Sequence, residues 1–332
     1  MLTPAYKLTI GDKSVDTTDE PQASTLVELS VSLSIGAPAD SFKLVLGNVG
    51  AFRPAREDEV RIELGYADDG GTTLVMVGEV ATVEPNLTTT RVTGYGGEMK
   101  LLRNVADETY EKMTAGAIVR DLADKAGVTV AQAREGINFP AYVVDGRLSL
   151  YAHMLDLAEF CGLDLYLTNE DQLVFEKFFQ GKSAHLFDYG KHIISLCVRR
   201  VPPLAEQVEV WGESPTGSKG QASAAWVTTD FSGSKGTAGS GATVLLLERP
   251  ALRTTKAAQT AAEALLTRIQ RRTLRGQLLS LGRPEVMLGD AVRLTGMADD
   301  SLNDDFQVRA ITHRITKAGG FLTRIDFSAI QT

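Results

Sequence analysis

A short stretch of this chain occurs twice, and that repetition narrows the architectures open to it. "DEVRIELGYADD" at residues 58–69 lines up with "DAVRLTGMADD" at 290–300, Asp58 with Asp290 and Val60-Arg61-Ile62 with Val292-Arg293-Leu294. After a one-residue gap, Gly65-Tyr66-Ala67-Asp68-Asp69 matches Gly296-Met297-Ala298-Asp299-Asp300. In both copies a long strand-like segment follows, then a polar turn, then a segment carrying Thr, Arg and aromatics. The same order of elements around both copies points to a duplicated β-barrel unit.

Hydrophobic periodicity supplies the β character. In "TLVELSVSLSI", Val27, Leu29, Val31, Leu33 and Ile35 alternate with Glu28, Ser30, Ser32 and Ser34, which buries one sheet face and leaves the other wet. "FKLVL" (42–46), "EVRIEL" (59–64), "TTLVMVGEVATVEPN" (72–86) and "TTTRVTGYGG" (88–97) continue the pattern. Between about 105 and 185 the character changes. Thr114 caps a helix with Ile118, Leu122 and Ala126 on one face and Gly127 at its end. "SLYAHMLDLAEFCG" is a second helix, and "LDLYLTNEDQLVFEKF" a hairpin turning at Asn169-Glu170-Asp171. From about 186 the strands return, in "QVEVW", "GQLLSLG", "DAVRLTG", "FQVRAITHRI" and "FLTRIDFSAI". A Gly/Ser-rich stretch (212–243) interrupts them as an expected mobile loop. So does an Ala/Arg-rich helix (254–275). The expected organisation is a first barrel over 1–104, a small α+β module over 105–185 and a second barrel over 186–332.

With 332 residues the chain is long enough for more than one core. A net charge of −8 argues against a general nucleic-acid binder, whose affinity rests on basic groups meeting phosphates. No apolar run reaches the ~20 residues of a membrane span, and "MLTPAYKLTIGDKS", with neither a basic start nor an apolar stretch, is not expected to act as a secretory leader. Cys161 and Cys197 sit among apolar neighbours and read as reduced core residues.

The residues do not spell out an enzyme. His153, His185, His192 and His313 lack metal-ligand spacing, and no G-x-S-x-G elbow is present. "GYGGE" (94–98) has a phosphate loop's glycines without its Lys-Ser/Thr, so it reads as a turn. Asp68-Asp69, Asp299-Asp300 and Asp304-Asp305 fall in expected turns, where Asp side chains cap local N–H groups. Arg268, Arg271, Arg272 and Arg275 close the Ala-rich helix, favourably placed for its dipole and for a contact with another protein. A carbohydrate- or cell-wall-binding protein is the alternative, but it wants aromatic platforms, and aromatics are only 7%. A β-rich enzyme is disfavoured by the missing catalytic pattern.

The C-terminal third combines these signals. Its Ala/Arg-rich helix precedes G-x-P-x-x-x-x-G-D-x-V-x-L (Gly282, Pro284, Gly289, Asp290, Val292, Leu294) and L-N-x-x-[FY]-x-V (Leu302, Asn303, Phe306, Val308). His313 in mid-strand and G-[FY]-x-T (Gly320, Phe321, Thr323) follow. This order resembles the baseplate hub proteins of contractile phage tails, the late-control gene D family. It is also similar to the hub region of type VI secretion spike proteins. "MLDLAEFCGLDLYLTNEDQLVFEK" resembles that family's helix-Gly-hairpin unit, so the likeness extends over nearly the whole chain. Asp304 stands where the family often has Gly, which affects the turn subtype.

The resemblance implies a mainly β chain with an α+β insertion, non-enzymatic and without cofactor or metal. Two tube-type barrels per chain would make a pseudo-sixfold ring as a homotrimer. Such a ring joins a hexameric tail tube, or a tube initiator, to a trimeric spike in a virion baseplate or injection particle assembled in the bacterial cytoplasm. Tape-measure and wedge proteins are further implied partners, with no membrane. Asp58, Gly65, Gly289, Asp290, Asn303 and His313 are then turn and sheet residues. Glu28, Ser30, Ser32 and Ser34 are candidates for the lumen face, with nucleic acid only as passing cargo. The absence of needle-like or lysozyme-type sequence makes a separate spike protein the expectation.

Overall fold

The computed structural model describes residues 2–18, 25–48, 52–178, 184–212 and 234–330. The first region is all strand: β1 (Pro4–Ile10), β2 (Lys13–Asp16), β3 (Leu26–Ser34), β4 (Ser41–Gly47), β5 (Glu59–Tyr66), β6 (Gly71–Pro85) and β7 (Thr89–Tyr95). The middle contributes α1 (Glu98–Arg103), β8 (Glu108–Thr114), α2 (Ala115–Lys125), β9 (Val130–Ala133), β10 (Asn138–Val144), α3 (Leu150–Cys161), β11 (Asp164–Leu167) and β12 (Leu173–Glu176). Next come β13 (Ala184–Asp188), β14 (Ile193–Arg200), β15 (Gln207–Trp211), β16 (Lys235–Gly239), β17 (Val244–Glu248) and α4 (Thr255–Arg271). The chain closes with β18 (Leu274–Leu281), β19 (Ala291–Thr295), β20 (Asp305–Thr316) and β21 (Gly320–Ala329).

The architecture is mainly β with an α+β insertion, and the duplication is visible in its hydrogen bonding. In the first half the strands run β3-β4-β7-β6-β5; in the second, β14-β18-β21-β20-β19. Each sequence-repeat strand, β5 or β19, lies at the same place in its series. The long strands that follow, β6 and β20, even carry their irregularity at the same point, between Val80 and Thr82 and between Val308 and Ala310. Such bulges bend a strand and raise its local twist.

One antiparallel pair joins the halves. β20 lies against β3 from Ala310↔Ser34 to Thr316↔Glu28, so both halves belong to a single 13-stranded sheet. Leu29 and Val31 of β3 and Ile311 of β20 are essentially inaccessible there, in one apolar cluster that also holds Ile62, Val92, Phe306 and Phe327. A second cluster lies beside it. Helices α2 and α3 of the middle region share it with β15, β16 and α4 from later in the chain. Alanines make that approach possible: a Cβ on Gly236 would stand 2.2 Å from the Ala258 carbonyl carbon of α4.

Helix ends follow local chemistry. Thr114, Ser149 and Thr254 cap α2, α3 and α4 by accepting from the backbone N–H three residues on. Gly162 closes α3 at φ +67°, a conformation that glycine adopts without steric cost.

Several expectations are corrected. Val27 is exposed and Leu26 buried, because a register shift between Leu26 and Glu28 breaks the strict alternation. The Ala/Arg-rich helix ends at Arg271 with Arg272 as its cap, and Arg275 lies in β18. Cys197 is exposed on β14 rather than in a core, while Cys161 is half-buried. Of the Gly/Ser-rich stretch, Lys235–Gly239 is strand β16, paired antiparallel with β15, and residues 213–233 lie outside the described residues.

Because the two halves share one apolar core, they are expected to unfold together. Leu29→Ala, at the seam, should cost about 2–5 kcal/mol. Circular dichroism and intrinsic fluorescence of that variant should trace one coincident thermal transition; two separated transitions would count against a shared core.

Candidate functional site

The twin turns come first, because they decide whether the Gly-Asp motif is chemistry or scaffold. Asp58 Oδ2 accepts from Ala55 N–H at 2.8 Å, and Asp290 Oδ2 accepts from Met287 N–H at 3.0 Å, three residues upstream in each case. The carbonyls of Asp58 and Asp290 accept from Val80 and Val308 N–H, both at 2.9 Å. The residue before each Asp, Glu57 or Gly289, has positive φ, 71° and 78°. The two motifs are therefore one turn built twice.

Other repeat residues diverge. Gly65 is needed for close approach, since a Cβ there would stand 1.9 Å from the Gly71 carbonyl oxygen. Its sequence counterpart Gly296 instead supplies a left-handed φ of 72°. Asn303 holds its loop by accepting from Met297 N–H at 2.8 Å and donating to the Met297 carbonyl at 3.1 Å.

His313 and Asp290 do not meet. His313 is completely buried, with Nδ1 at 2.9 Å from Thr323 Oγ1 and its ring 5.9 Å from Phe321. Burial lowers its pKa to about 3, so the imidazole is neutral, a packed sheet residue. Asp290 is instead 2.9 Å from His185 Nε2, a contact made by the parallel pairing of β13 with β19. His153 Nε2 faces the Asp145 carbonyl at 3.1 Å, and His192 Nδ1 accepts from Asp188 N–H at 3.0 Å. Among the described residues no three His, Cys, Asp or Glu side chains are grouped to hold a metal ion.

The outward face of β3 forms a shallow polar groove with its neighbours. Glu28, Ser30 and Ser32 line it together with Lys43 of β4, Thr93 of β7 and Arg314 of β20. Glu28 is held between Lys43 at 3.5 Å and Arg314 at 3.2 Å, so the charges are internally paired and the hydroxyls remain. Ser34 serves the following turn: its N–H donates to Asp40 Oδ1 at 2.8 Å and its Oγ accepts from Gly36 N–H at 3.1 Å.

The arginines have separate tasks. Arg268 pairs with Glu159 of α3. Arg271 is turned into the protein beside Asp164 and Arg309, and burial lowers its pKa. Asp164 in turn binds Arg309 and Gln307 of β20, each at 2.7 Å. These contacts tie α4 and the middle region to the large sheet. Arg272 is lowered by partial burial and then by Arg268 and Arg275, a local surplus of positive charge.

A feature that sequence spacing hides is a buried acidic group. Asp40, after β3, and Glu98, at the start of α1, are 5% and 4% exposed. Asp171, in the β11–β12 turn, accepts from Gly97 N–H at 2.6 Å. Burial, chiefly, with the neighbouring carboxylates adding to it, raises Asp40 to about 7 and Glu98 to about 8. Asp171 is raised by burial as well. The group sits where the first β region meets the middle region, so its protonation bears on that joint.

No protein-family model matches the sequence, and no curated protein matches it. Solved structures do match. The 43 kDa tail protein of prophage MuSo2 from Shewanella oneidensis superposes at a TM-score of 0.75 with 14% identity, covering 98% of each chain. The fold is a phage tail protein fold. A tail protein from Neisseria meningitidis MC58 aligns at a TM-score of 0.73 with 12% identity, over 98% of this chain and 97% of that one. An E. coli component of the type VI secretion system, described as similar to the T4 tail proteins gp27 and gp5, aligns at 0.64 with 10% identity. That match covers 98% of this chain and 77% of the other. The baseplate-hub resemblance of the sequence and the architecture of the molecule thus agree.

The acidic group makes stability pH-dependent with a defined sign. Asp40 and Glu98 bind protons more tightly folded than unfolded, so they favour the native state at low pH. That stability is lost as pH rises from about 4 to about 8. Glu98→Gln should flatten the slope of thermal midpoint against pH across this window and raise the midpoint at pH 8. An unchanged slope would remove the group as its cause.

Proposed function

We propose that this protein is a structural, non-enzymatic baseplate hub of a contractile phage tail or a tail-like injection particle, acting as a homotrimer. The observation that carries the reading is the doubled strand series, β3-β4-β7-β6-β5 beside β14-β18-β21-β20-β19, within one sheet. Three copies of a chain with two equivalent halves make six equivalent positions, which lets a threefold object face a sixfold one. A hexameric tail tube or tube initiator would sit on one side and a trimeric spike on the other, with tape-measure and wedge proteins nearby. The baseplate of a virion or injection particle, put together in the bacterial cytoplasm, is the corresponding location.

In such a ring the groove of Glu28, Ser30 and Ser32 is our candidate for the lumen wall. Its hydroxyls and mutually paired charges offer a passing polyanion hydration without strong attachment. Arg268, Arg271, Arg272 and Arg275 remain candidates for protein contact, with Arg272 crowded by Arg268 and Arg275.

Light scattering after size exclusion tests the assembly. The expected species has three times the mass of the 35.7 kDa chain, with a pseudo-sixfold outline in negative-stain electron microscopy. A single-chain mass at all concentrations, with or without a spike protein, would overturn the ring.

A further inference from the structure

The internal duplication assigns each strand of the five-strand series in one half a counterpart in the other. By place in the series, β3 corresponds to β14, β4 to β18, β7 to β21 and β6 to β20. The registers make this residue-specific. Leu29 lies opposite Leu44 and Leu44 opposite Val92, just as Leu196 lies opposite Leu278 and Leu278 opposite Ile325. Val83 pairs with Val92 as Ile311 pairs with Ile325.

The counterparts are not equally covered. β3 is flanked by β4 and by β20, and Leu29 and Val31 are completely buried. Among the described residues β14 is flanked by β18 alone, at the end of the sheet. Its core-facing Leu196 and Val198 pack on the same apolar cluster yet stay half-exposed. What β3 has and β14 lacks is a β20.

The counterpart of β20 also has an unused edge. β6 pairs with β5 only as far as Glu79, and beyond Val80 its remaining bonds go to β7. The opposite edge of residues 81–85 is unpaired among the described residues. Val83 is half-buried on it, and Leu87 just beyond is fully exposed. Exposed strand edges with apolar residues are templates for pairing.

We propose that the free edge of β6 of a second copy of this chain pairs with β14, repeating between molecules the β20–β3 seam found within one. This rests on the ring reading given above and names the surface that closes the ring. Carrying the internal register across sets Glu84 opposite Arg199 and Pro85 opposite Val198, and brings Asn86, the first residue of the turn after β6, to Cys197 with Leu87 beside Leu196. The charges agree with that register. Arg199 lies directly opposite Arg275 on the outer face, a like-charge cross-strand pair that is unfavourable alone. Glu84 from the next copy, itself paired with Arg91 at 3.6 Å, supplies the missing anion.

Backbone polarity agrees as well. Asn86 N–H bonds to Thr89 and Val201 N–H to Thr273, so by alternation Val83 and Pro85 on one strand and Val198 and Arg200 on the other direct their polar groups to the free edges. Pro85 has no N–H to give, which costs this seam one bond relative to the internal one and suits an edge position. The two free edges differ from each other, so the contact is head-to-tail, the kind that generates a ring when its rotation closes.

Asn86→Cys in the full-length chain tests the register against the native Cys197 thiol, because these positions face each other without intervening ladder bonds. Mild diamide oxidation is expected to give cross-linked trimers on a non-reducing gel, abolished by adding Cys197→Ser. Glu84→Arg and Arg199→Glu should each weaken assembly about tenfold or more, and the double exchange should restore it to near wild type. Both sites are exposed, and unchanged circular dichroism verifies that each variant folds. A trimer that neither cross-links nor responds to either reversal overturns this seam while leaving the ring intact. A wild-type chain that stays single at every concentration overturns both.

Discussion

Seven residue pairs between β20 and β3 hold this molecule in one piece. Without them each half would end in a strand with a bare edge and a half-covered apolar face. With them, Leu29, Val31 and Ile311 lie in a continuous core that neither half could complete from its own strands. The partners are far apart in sequence, so the seam carries a high cost in loop entropy. The second core lowers that cost, because the middle region packs on α4 and its Asp164 reaches the Gln307 and Arg309 side chains of β20. The insertion thus acts as a brace across the seam.

The joint between the brace and the first β region is polar where the seam is apolar. Asp40 of the β3–β4 turn and Glu98 at the start of α1 are buried, with half-buried Asp171 of the β11–β12 turn beside them. Carboxyl groups in such a place are stable chiefly in the protonated form, which gives the contact a chemical sensitivity that the hydrocarbon seam lacks. The molecule therefore joins its regions by two different kinds of force.

Much of the fold was legible wherever information is local. Alternation located β3, β4 and β5, and Thr114 marked a helix start because capping involves neighbours in the chain. The repeat around Asp58 and Asp290 predicted a turn made twice, and both copies have the same bonds. What stayed hidden depends on distant partners. The shift beside Val27 comes from pairing with β4, and the contact of His185 with Asp290 from a parallel strand more than a hundred residues away. The acids at 40, 98 and 171 have no spacing that announces their meeting, and Arg275 looked helical because its pattern continues that of α4 while its backbone pairs with Arg199.

Fusion of two equivalent halves in one chain also changes the statistics of assembly. Where six separate subunits must find one another, six encounters set the concentration at which a ring persists. A covalent duplication makes alternate junctions intramolecular, so the effective concentration of those partners is set by the polypeptide and not by the cell. In the proposed ring the internal junction can then be long, at seven pairs, while the junctions left to diffusion are free to be shorter and weaker. An assembly of this kind loosens first at its intermolecular joints, so mechanical or chemical stress would take it apart into whole chains before any chain lost its own fold.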